Sequence, residues 1–449
     1  MRANKQAQCF RGFQNILFRY IVPSRVSGRT RILSLMLSRT STRGRMTLIG
    51  ALYVSQAIPV GFFVIALPAI LRDSGASLKT VSLFSALALA WVFKFLWAPL
   101  VDRFGSTTRG HFRSWLLPIQ LLAVIAVAVI ATTDPRESLV PLAVAGSFFM
   151  LVAATQDIAT DGLAVRILPP EERGLGNGVQ VGGFYFGQIL GGGLVLYLVG
   201  RIGWSAAMGL MALLMALPIL PVIRFSEPAA PRTPRPSARF SFGALGRFFR
   251  RPGAFSWVAV LVVYRAGDAA AIRMLGPLLV DHGFSLASIG LLTGVAASVG
   301  ALAGALTAGL LVNSLGRRSS LFVFALFHAV ALIGYLMPAG GRTEPVVLYG
   351  VVLAAAFTGG LATTAIYTSM MDRSDPATSA TDFTLQQSLC AFGPLVSSIL
   401  SGVVAQHFGY TVLFGACVVV AVLAAGLAAR RTVSSSALPV TQPPGATLP

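Results

Sequence analysis

The stretch GASLKTVSLFS, Gly75 to Ser85, returns in the second half of the chain as GFSLASIGLLT, Gly283 to Thr293. Each copy opens an apolar run. Each run ends in a glycine followed by basic residues: VDRFGSTTRG from Val101 to Gly110, and VNSLGRRSS from Val312 to Ser320. Self-similarity at this spacing means that one structural unit occurs twice. The glycine suits a tight turn, and the arginines suit an anionic membrane surface. Working outward, apolar runs fall at 47–71, 79–101, 114–132, 139–164, 174–200 and 205–224, then at 255–281, 286–312, 319–338, 345–370, 381–406 and 409–429. Six runs stand on each side of an Arg- and Pro-rich segment that includes PAAPRTPRPSARF, too polar to cross a bilayer.

Composition agrees with lipid as the solvent. Of 449 residues, 55% are hydrophobic and only 11% charged, with a mean hydropathy of +0.76, where soluble domains carry about a quarter charged residues. A spanning helix needs roughly 20 apolar residues, and no stretch alternates as a barrel strand does. The expectation is an all-α membrane protein of twelve transmembrane helices in two six-helix pseudo-repeats. Parallel repeats of this kind are the arrangement of major-facilitator carriers, whose substrate binds near the midplane between halves that rock.

The formal charge of +20 would suggest nucleic acid in a soluble protein, but its distribution excludes that partner. With the N-terminus inside, 27 of the 35 Lys and Arg residues fall in inside segments and only Arg72, Lys79, Arg136, Arg201 and Arg342 outside. By the positive-inside rule both termini are cytoplasmic. The division expected is a basic extension at 1–45, a first bundle at 46–224, a cytoplasmic linker at 225–254, a second bundle at 255–430 and a polar tail at 431–449. The extension has three readings: residues upstream of a start at Met36 or Met46, a basic surface anchor, or an organellar presequence. Cys9, Cys390 and Cys417 have neither disulfide nor metal spacing. No nucleophile elbow, phosphate loop or zinc-spaced cluster appears, so neither enzymatic chemistry nor a cofactor or metal is expected. Energy would come from an ion gradient, with protons the expected ion, or from the substrate's own gradient.

Ionisable groups at membrane depth are costly and usually pair or line a water-filled path. Helix 2 carries Lys94 in AWVFKFLWAPLVD, and helix 4 carries Asp157 and Asp161, one turn apart, in ATQDIATDGLAVR. All three sit roughly 7–14 Å from the cytoplasmic end at about 1.5 Å rise per residue. Lys94 is expected to pair with Asp157, leaving Asp161 to titrate or to hold Arg103 beside Asp102. The group serves either proton coupling or a cytoplasmic gate. Helix 7 carries Arg265 and Asp268 near the midplane in VYRAGDAAAIRMLGP. Tyr264, Arg265 and Asp268 are substrate or coupling candidates, against a self-satisfied pair, and the guanidinium favours an anionic small molecule. Gln56, Gln188, Gln386 and Gln387 are weaker candidates, each explained equally by interhelical hydrogen bonding. Pro59 and Pro68 in helix 1 and Pro277 in helix 7 are expected to interrupt helices beside the cavity. Glycines of helix 5, such as Gly182, Gly187 and Gly191, offer a face for close helix contact.

LYVSQAIPVGFFVIALPAILRDSGASLKTVSLFS (Leu52–Ser85), KFLWAPLVDR (Lys94–Arg103) and ATQDIATDGLAVRILPPEERG (Ala154–Gly174), followed by GNGVQVGG, resemble one branch of the major-facilitator carriers. That branch includes AmpG-type muropeptide permeases, acetyl-coenzyme A transporters and siderophore importers of the RhtX/FptX kind. The likeness is most specific through helices 1 to 5. It implies uptake across the bacterial cytoplasmic membrane, with Lys94, Asp157 and Asp161 in the shared motifs; separately, the protein is expected to be a monomer. The polar tail after Arg430 and Arg431, where AmpG-like permeases commonly have further helices, points to the siderophore importers. The first expectation is therefore proton-driven import of a ferric siderophore by alternating access. The alternative is a muropeptide or other anionic metabolite permease, followed by a multidrug exporter or a non-transporting receptor.

Overall fold

The computed structural model describes residues 41–73, 89–106, 110–133, 139–227 and 243–430. The Gly75–Ser85 repeat, Lys79, Arg136 and Cys9 lie outside the described residues, as do 1–40 of the basic extension, 228–242 of the linker and the 431–449 tail. Among the described residues there is no strand, only an isolated bridge between Ser106 and Gly110. The first half comprises α1 (Thr42–Leu71), α2 (described from Leu89 to Arg103), α3 (Arg113–Ala131), α4 (Val140–Ile167), α5 (Arg173–Ile202) and α6 (Trp204–Arg224). A short helix at Gly243–Phe249 precedes the second half. There α7 runs in two pieces, Ala254–Val263 and Ala266–Asp281, followed by α8 (Ser288–Leu315), α9 (Arg317–Ala339) and α10 (Pro345–Asp372). The last helical element, Ser379–Ala429, contains Gly409 at φ 82°, ψ 165°, outside helical geometry. Its 51 residues would extend about 77 Å as one helix, more than twice a ~30 Å hydrocarbon core. It is accordingly two helices, α11 (379–408) and α12 (410–429).

Both ends of this pair lie at the same face of the molecule. Ala380 at the start of α11 donates to Asp102 in the last turn of α2, and Ala429 at the end of α12 accepts from Arg318 in the first turn of α9. Tyr410, just past the bend, reaches Asp281 at the far end of α7. The chain therefore reverses at Gly409. Nine described elements are long and apolar enough to cross a membrane. The fold-back of the last, the broken α7 and the partly described α2 make the architecture consistent with twelve crossings. Large apolar side chains such as Phe148, Leu310 and Ile399 remain exposed, as they do in a protein whose outer surface meets lipid.

Two helices depart from the expected course for identifiable reasons. In α2 the helix tightens to a 3₁₀ turn at Lys94–Leu96 and restarts at Ala98, because the Pro99 ring crowds the preceding turn and has no N–H to donate. In α7 the break falls at Tyr264 and Arg265, where Arg265 adopts φ −114°, ψ 3°, and the helix then passes through Pro277 without ending. The interruption expected at Pro277 is thus displaced toward the charged pair. In α1 the helix continues through Pro59 and widens to a π-helix at Phe62–Ala66.

The glycines of α5 let three helices meet. A Cβ at Gly191 would lie 1.6 Å from the Ile58 carbonyl oxygen of α1, and one at Gly178 would lie 2.8 Å from the Gly309 Cα of α8. These two contacts require bare backbone; the second brings the halves together.

Candidate functional site

The arginine-rich turns after α2, α4, α8 and α10 share one end of the molecule, here termed the basic end. There the halves are tied by reciprocal contacts. Asp102 accepts from the Ala380 and Thr381 amides at 3.1 and 2.7 Å and from the Thr381 hydroxyl at 2.7 Å, so a carboxylate sits at the N-terminus of α11 where the helix dipole favours it. Asn313, in the repeated VNSLG motif, occupies the related place: it donates to the Glu171 carbonyl and its Oδ1 lies against Gly174 at the start of α5. Asp372 of α10 accepts from Arg173 at 2.9 Å and from Arg317 at 2.8 Å. Arg166 donates to the Pro376 carbonyl and Ser379 to the Gly162 carbonyl. This end is closed.

Deeper in the first half, the 3₁₀ turn of α2 points Lys94 at α4. Its ammonium donates to Asp157, stands 3.9 Å from Asp161 Oδ2 and donates at 2.5 Å to Gln387 of α11. Asp157 also accepts from Gln56 of α1 at 2.5 Å; Asp161 accepts from Tyr53 of α1 at 2.5 Å and from Gln180 of α5 at 3.3 Å. Lys94, Asp157 and Asp161 are all 3% exposed or less. Two carboxylates and one ammonium leave this cluster one negative charge in excess when all three are ionised. Asp161 Oδ2, Gln56 Oε1 and Gln180 Oε1 make no hydrogen bond in the structure. The place expected for Arg103 beside Asp161 is taken by Tyr53 and Gln180. Arg103 is instead exposed, 5.5 Å from the Phe104 ring.

In the second half, Arg265 sits at the break of α7 and donates to Asp268 and to Thr363 of α10. Asp268, in the first turn of the second helical piece, also complements that helix's dipole. His328 of α9 lies 3.2 Å from the other Asp268 oxygen. The Arg265 side chain keeps 23% exposure although Asp268 keeps only 4%. Arg265 is also within electrostatic reach of Tyr185 of α5 in the first half. Tyr367 of α10 lies within electrostatic reach of Arg265 and also of Asp157 and Asp161.

Other candidates lie elsewhere. Tyr264 is 5% exposed and spends its hydroxyl on the Leu321 carbonyl at 2.9 Å, inside the second half. Gln386 is fully buried: it accepts from Trp257 and donates to the Met370 and Asp382 carbonyls and to Ser374. Its neighbour Gln387 is the one on Lys94. Gln188 is half-buried, with its backbone against Gly61. Tyr53, Gln180 and His328 were not legible as partners, since an uncharged polar residue on an apolar helix is explained equally by interhelical hydrogen bonding. Among the described residues no cluster of His, Cys, Asp or Glu is arranged to hold a metal ion.

The sequence pattern of the Major Facilitator Superfamily matches residues 49–393. The chain is 29% identical over 340 residues to the anhydromuropeptide permease of Escherichia coli strain K12, covering 75% of this chain and 69% of that one. It is 31% identical over 369 residues to an uncharacterized protein of Haemophilus influenzae, covering 79% and 87%. The crystal structure of FucP, a major facilitator transporter in the outward conformation, superposes with a TM-score of 0.65 at 14% identity, covering 86% of this chain and 98% of that one.

Proposed function

Because the chain belongs to the Major Facilitator Superfamily and is a multi-pass membrane transporter, we propose that it carries an anionic muropeptide-class solute, a sugar with an attached peptide, into the cytoplasm of a bacterial cell. One observation carries the anionic part of this reading: the Arg265 side chain, midway along α7, remains 23% exposed within electrostatic reach of Tyr185 of the opposite half. A guanidinium at membrane depth with donors to spare attracts carboxylates, which it binds through forked hydrogen bonds. The muropeptide part is supported by the 29% identity to a permease named for that cargo. The ferric-siderophore expectation gains nothing from these relatives, and the alternative reading takes its place.

In this account the basic end faces the cytoplasm, as the excess of arginine there requires, and the contacts of Asp102, Asn313 and Asp372 close it. Substrate enters from the opposite side, reaches Arg265 between the bundles at 46–224 and 255–430, and exchange of the closing contacts releases it inward. The Lys94–Asp157–Asp161 cluster, with its surplus carboxylate, is the proton-responsive element of the first half.

The test is binding of a purified anhydromuropeptide to the detergent-solubilised protein. Arg265→Ala should lose at least about tenfold in affinity, as loss of a charged hydrogen bond worth about 1.5–3 kcal/mol implies, while the variant still elutes as a folded species. Unchanged affinity would remove Arg265 from the site.

A further inference from the structure

Three buried oxygens around the acids of α4 have no donor. Asp161 Oδ2 of α4, Gln56 Oε1 of α1 and Gln180 Oε1 of α5 make no hydrogen bond, and their residues are each 3% exposed or less. A bare acceptor in a dry interior is costly. Two helices in matching register set the arrangement. Tyr53 and Gln56, one turn apart on α1, face Asp161 and Asp157, one turn apart on α4. The Tyr53 hydroxyl and the Gln180 amide both donate to Asp161 Oδ1, at 2.5 and 3.3 Å, which leaves Oδ2 bare. Gln56 gives its amide nitrogen to Asp157 Oδ1 at 2.5 Å. Turning either amide over would set its oxygen against a carboxylate, so each amide oxygen stays beside the acid that its own nitrogen serves. Charge points the same way. The Lys94 ammonium donates to Asp157 and to Gln387 of α11 and stands 3.9 Å from Asp161 Oδ2. One ammonium against two carboxylates leaves one negative charge over, on the acid with the bare oxygen.

We propose that Asp161 Oδ2, Gln56 Oε1 and Gln180 Oε1 form a binding site for one sodium ion, held among α1, α4 and α5 of the first half. The occupant must bring a single positive charge and satisfy several oxygens together. A water molecule donates to two of them and leaves the charge uncompensated; a proton balances the charge but gives only one further oxygen a donor. A divalent ion would overshoot, leaving a surplus positive charge in the interior. Sodium carries the single charge, and carboxylate and carbonyl oxygens are the ligands that hard cations take. The two acids are too few to hold a divalent or transition metal; the amide oxygens complete the set for a monovalent ion. With sodium on Asp161, Lys94 is left to Asp157 and to Gln387, the contact by which this cluster touches the second half. Sodium and a proton are alternative occupants of the same charge, so the site adds a second ion to the cluster read above as proton-responsive. It rests on no assumption about cargo.

The experiment is binding of radioactive sodium to the full-length purified protein at one fixed pH, without any cargo. The expected result is saturable binding that unlabelled sodium displaces and that equal concentrations of potassium or choline leave in place. Asp161→Asn, which removes the surplus charge, should abolish it. Gln180→Leu keeps both acids and Lys94 and takes away one neutral ligand; it should weaken binding at least about tenfold, and it decides the matter if Asp161→Asn does not fold. A structural role alone for Gln180 would lower the thermal midpoint and leave sodium affinity unchanged in the folded fraction. Absence of saturable binding, displacement by potassium as readily as by sodium, or binding that survives these substitutions would overturn the proposal. Sodium binding on these terms by a protein that binds no anhydromuropeptide would uphold the site and count against the cargo.

Discussion

Single residues divide into those that hold the protein together and those left to act. Lys94 belongs to both groups. Replacing it with Gln leaves Asp157 and Asp161 buried without their cation, at a cost of about 3–5 kcal/mol, so Lys94→Gln should lower the thermal midpoint sharply in detergent. The double variant Lys94→Gln, Asp157→Asn should recover most of that stability without recovering transport. A second contrast separates two neighbours. Gln386→Leu abandons bonds to Trp257, Ser374 and two carbonyls, and should destabilise by about 1–3 kcal/mol. Gln387→Leu removes a single bond, to Lys94, from a half-buried side chain, and should lower the thermal midpoint less than Gln386→Leu while slowing uptake. Equal midpoints for the two would contradict this division. The sequence permitted Lys94, Asp157 and Arg265 to be picked out because charge at membrane depth is rare and therefore informative. It did not separate Gln386 from Gln387, which differ only in the direction their helix turns them, nor reveal His328, whose significance depends on α7 and α9 lying side by side.

At the scale of helices, the closed basic end depends on a few carboxylates that each serve more than one partner. Asp372 receives Arg173 from α5 of the first half and Arg317 from α9 of its own half, and that Arg317 also reaches the Pro170 carbonyl of the first half, so Asp372→Asn breaks one direct tie between the halves and loosens the arginine that makes another. Opening of that end should become about 5- to 150-fold more populated, the effect of roughly 1–3 kcal/mol. Electron resonance distances between spin labels at Glu171 and Ser314 should then gain a longer component; an unaltered distribution would show that the glycine contact at Gly178 and Gly309 closes the end without help. Glu172, in the turn between α4 and α5, makes a pH prediction. The Arg45 hydrogen bonds, joined by that of Thr42, hold its carboxyl below the usual range. Its contribution is therefore complete above the ordinary carboxylate pKa and is lost as pH falls through the depressed value. A spin label at Arg43 should gain mobility on such acidification, and Glu172→Gln should show that mobility at neutral pH. Helix positions were readable from apolar run length, whereas the break in α7 was not, because Pro277 advertised a kink that packing against the charged pair placed elsewhere.

The whole molecule is a repeated unit whose two copies face each other across charged groups. The repeat was legible because the turn motifs at Val101 and Val312 kept their glycine and basic residues, and both turns tie the halves, Asp102 at α11 and Asn313 at α5. Cargo was less legible. Branch resemblance at helices 1 to 5 admitted several anionic solutes, and the second half, where Arg265 lies, carried the weaker signal. The division of labour now inferred puts substrate on Arg265 in one half and proton-responsive carboxylates in the other, with Tyr367 near both. The most direct test is uptake of a radiolabelled anhydromuropeptide into proteoliposomes holding the purified protein, with and without an imposed proton gradient. The account predicts saturable, gradient-stimulated accumulation that Arg265→Ala abolishes; no accumulation above protein-free vesicles, by a protein shown to be folded, would contradict it.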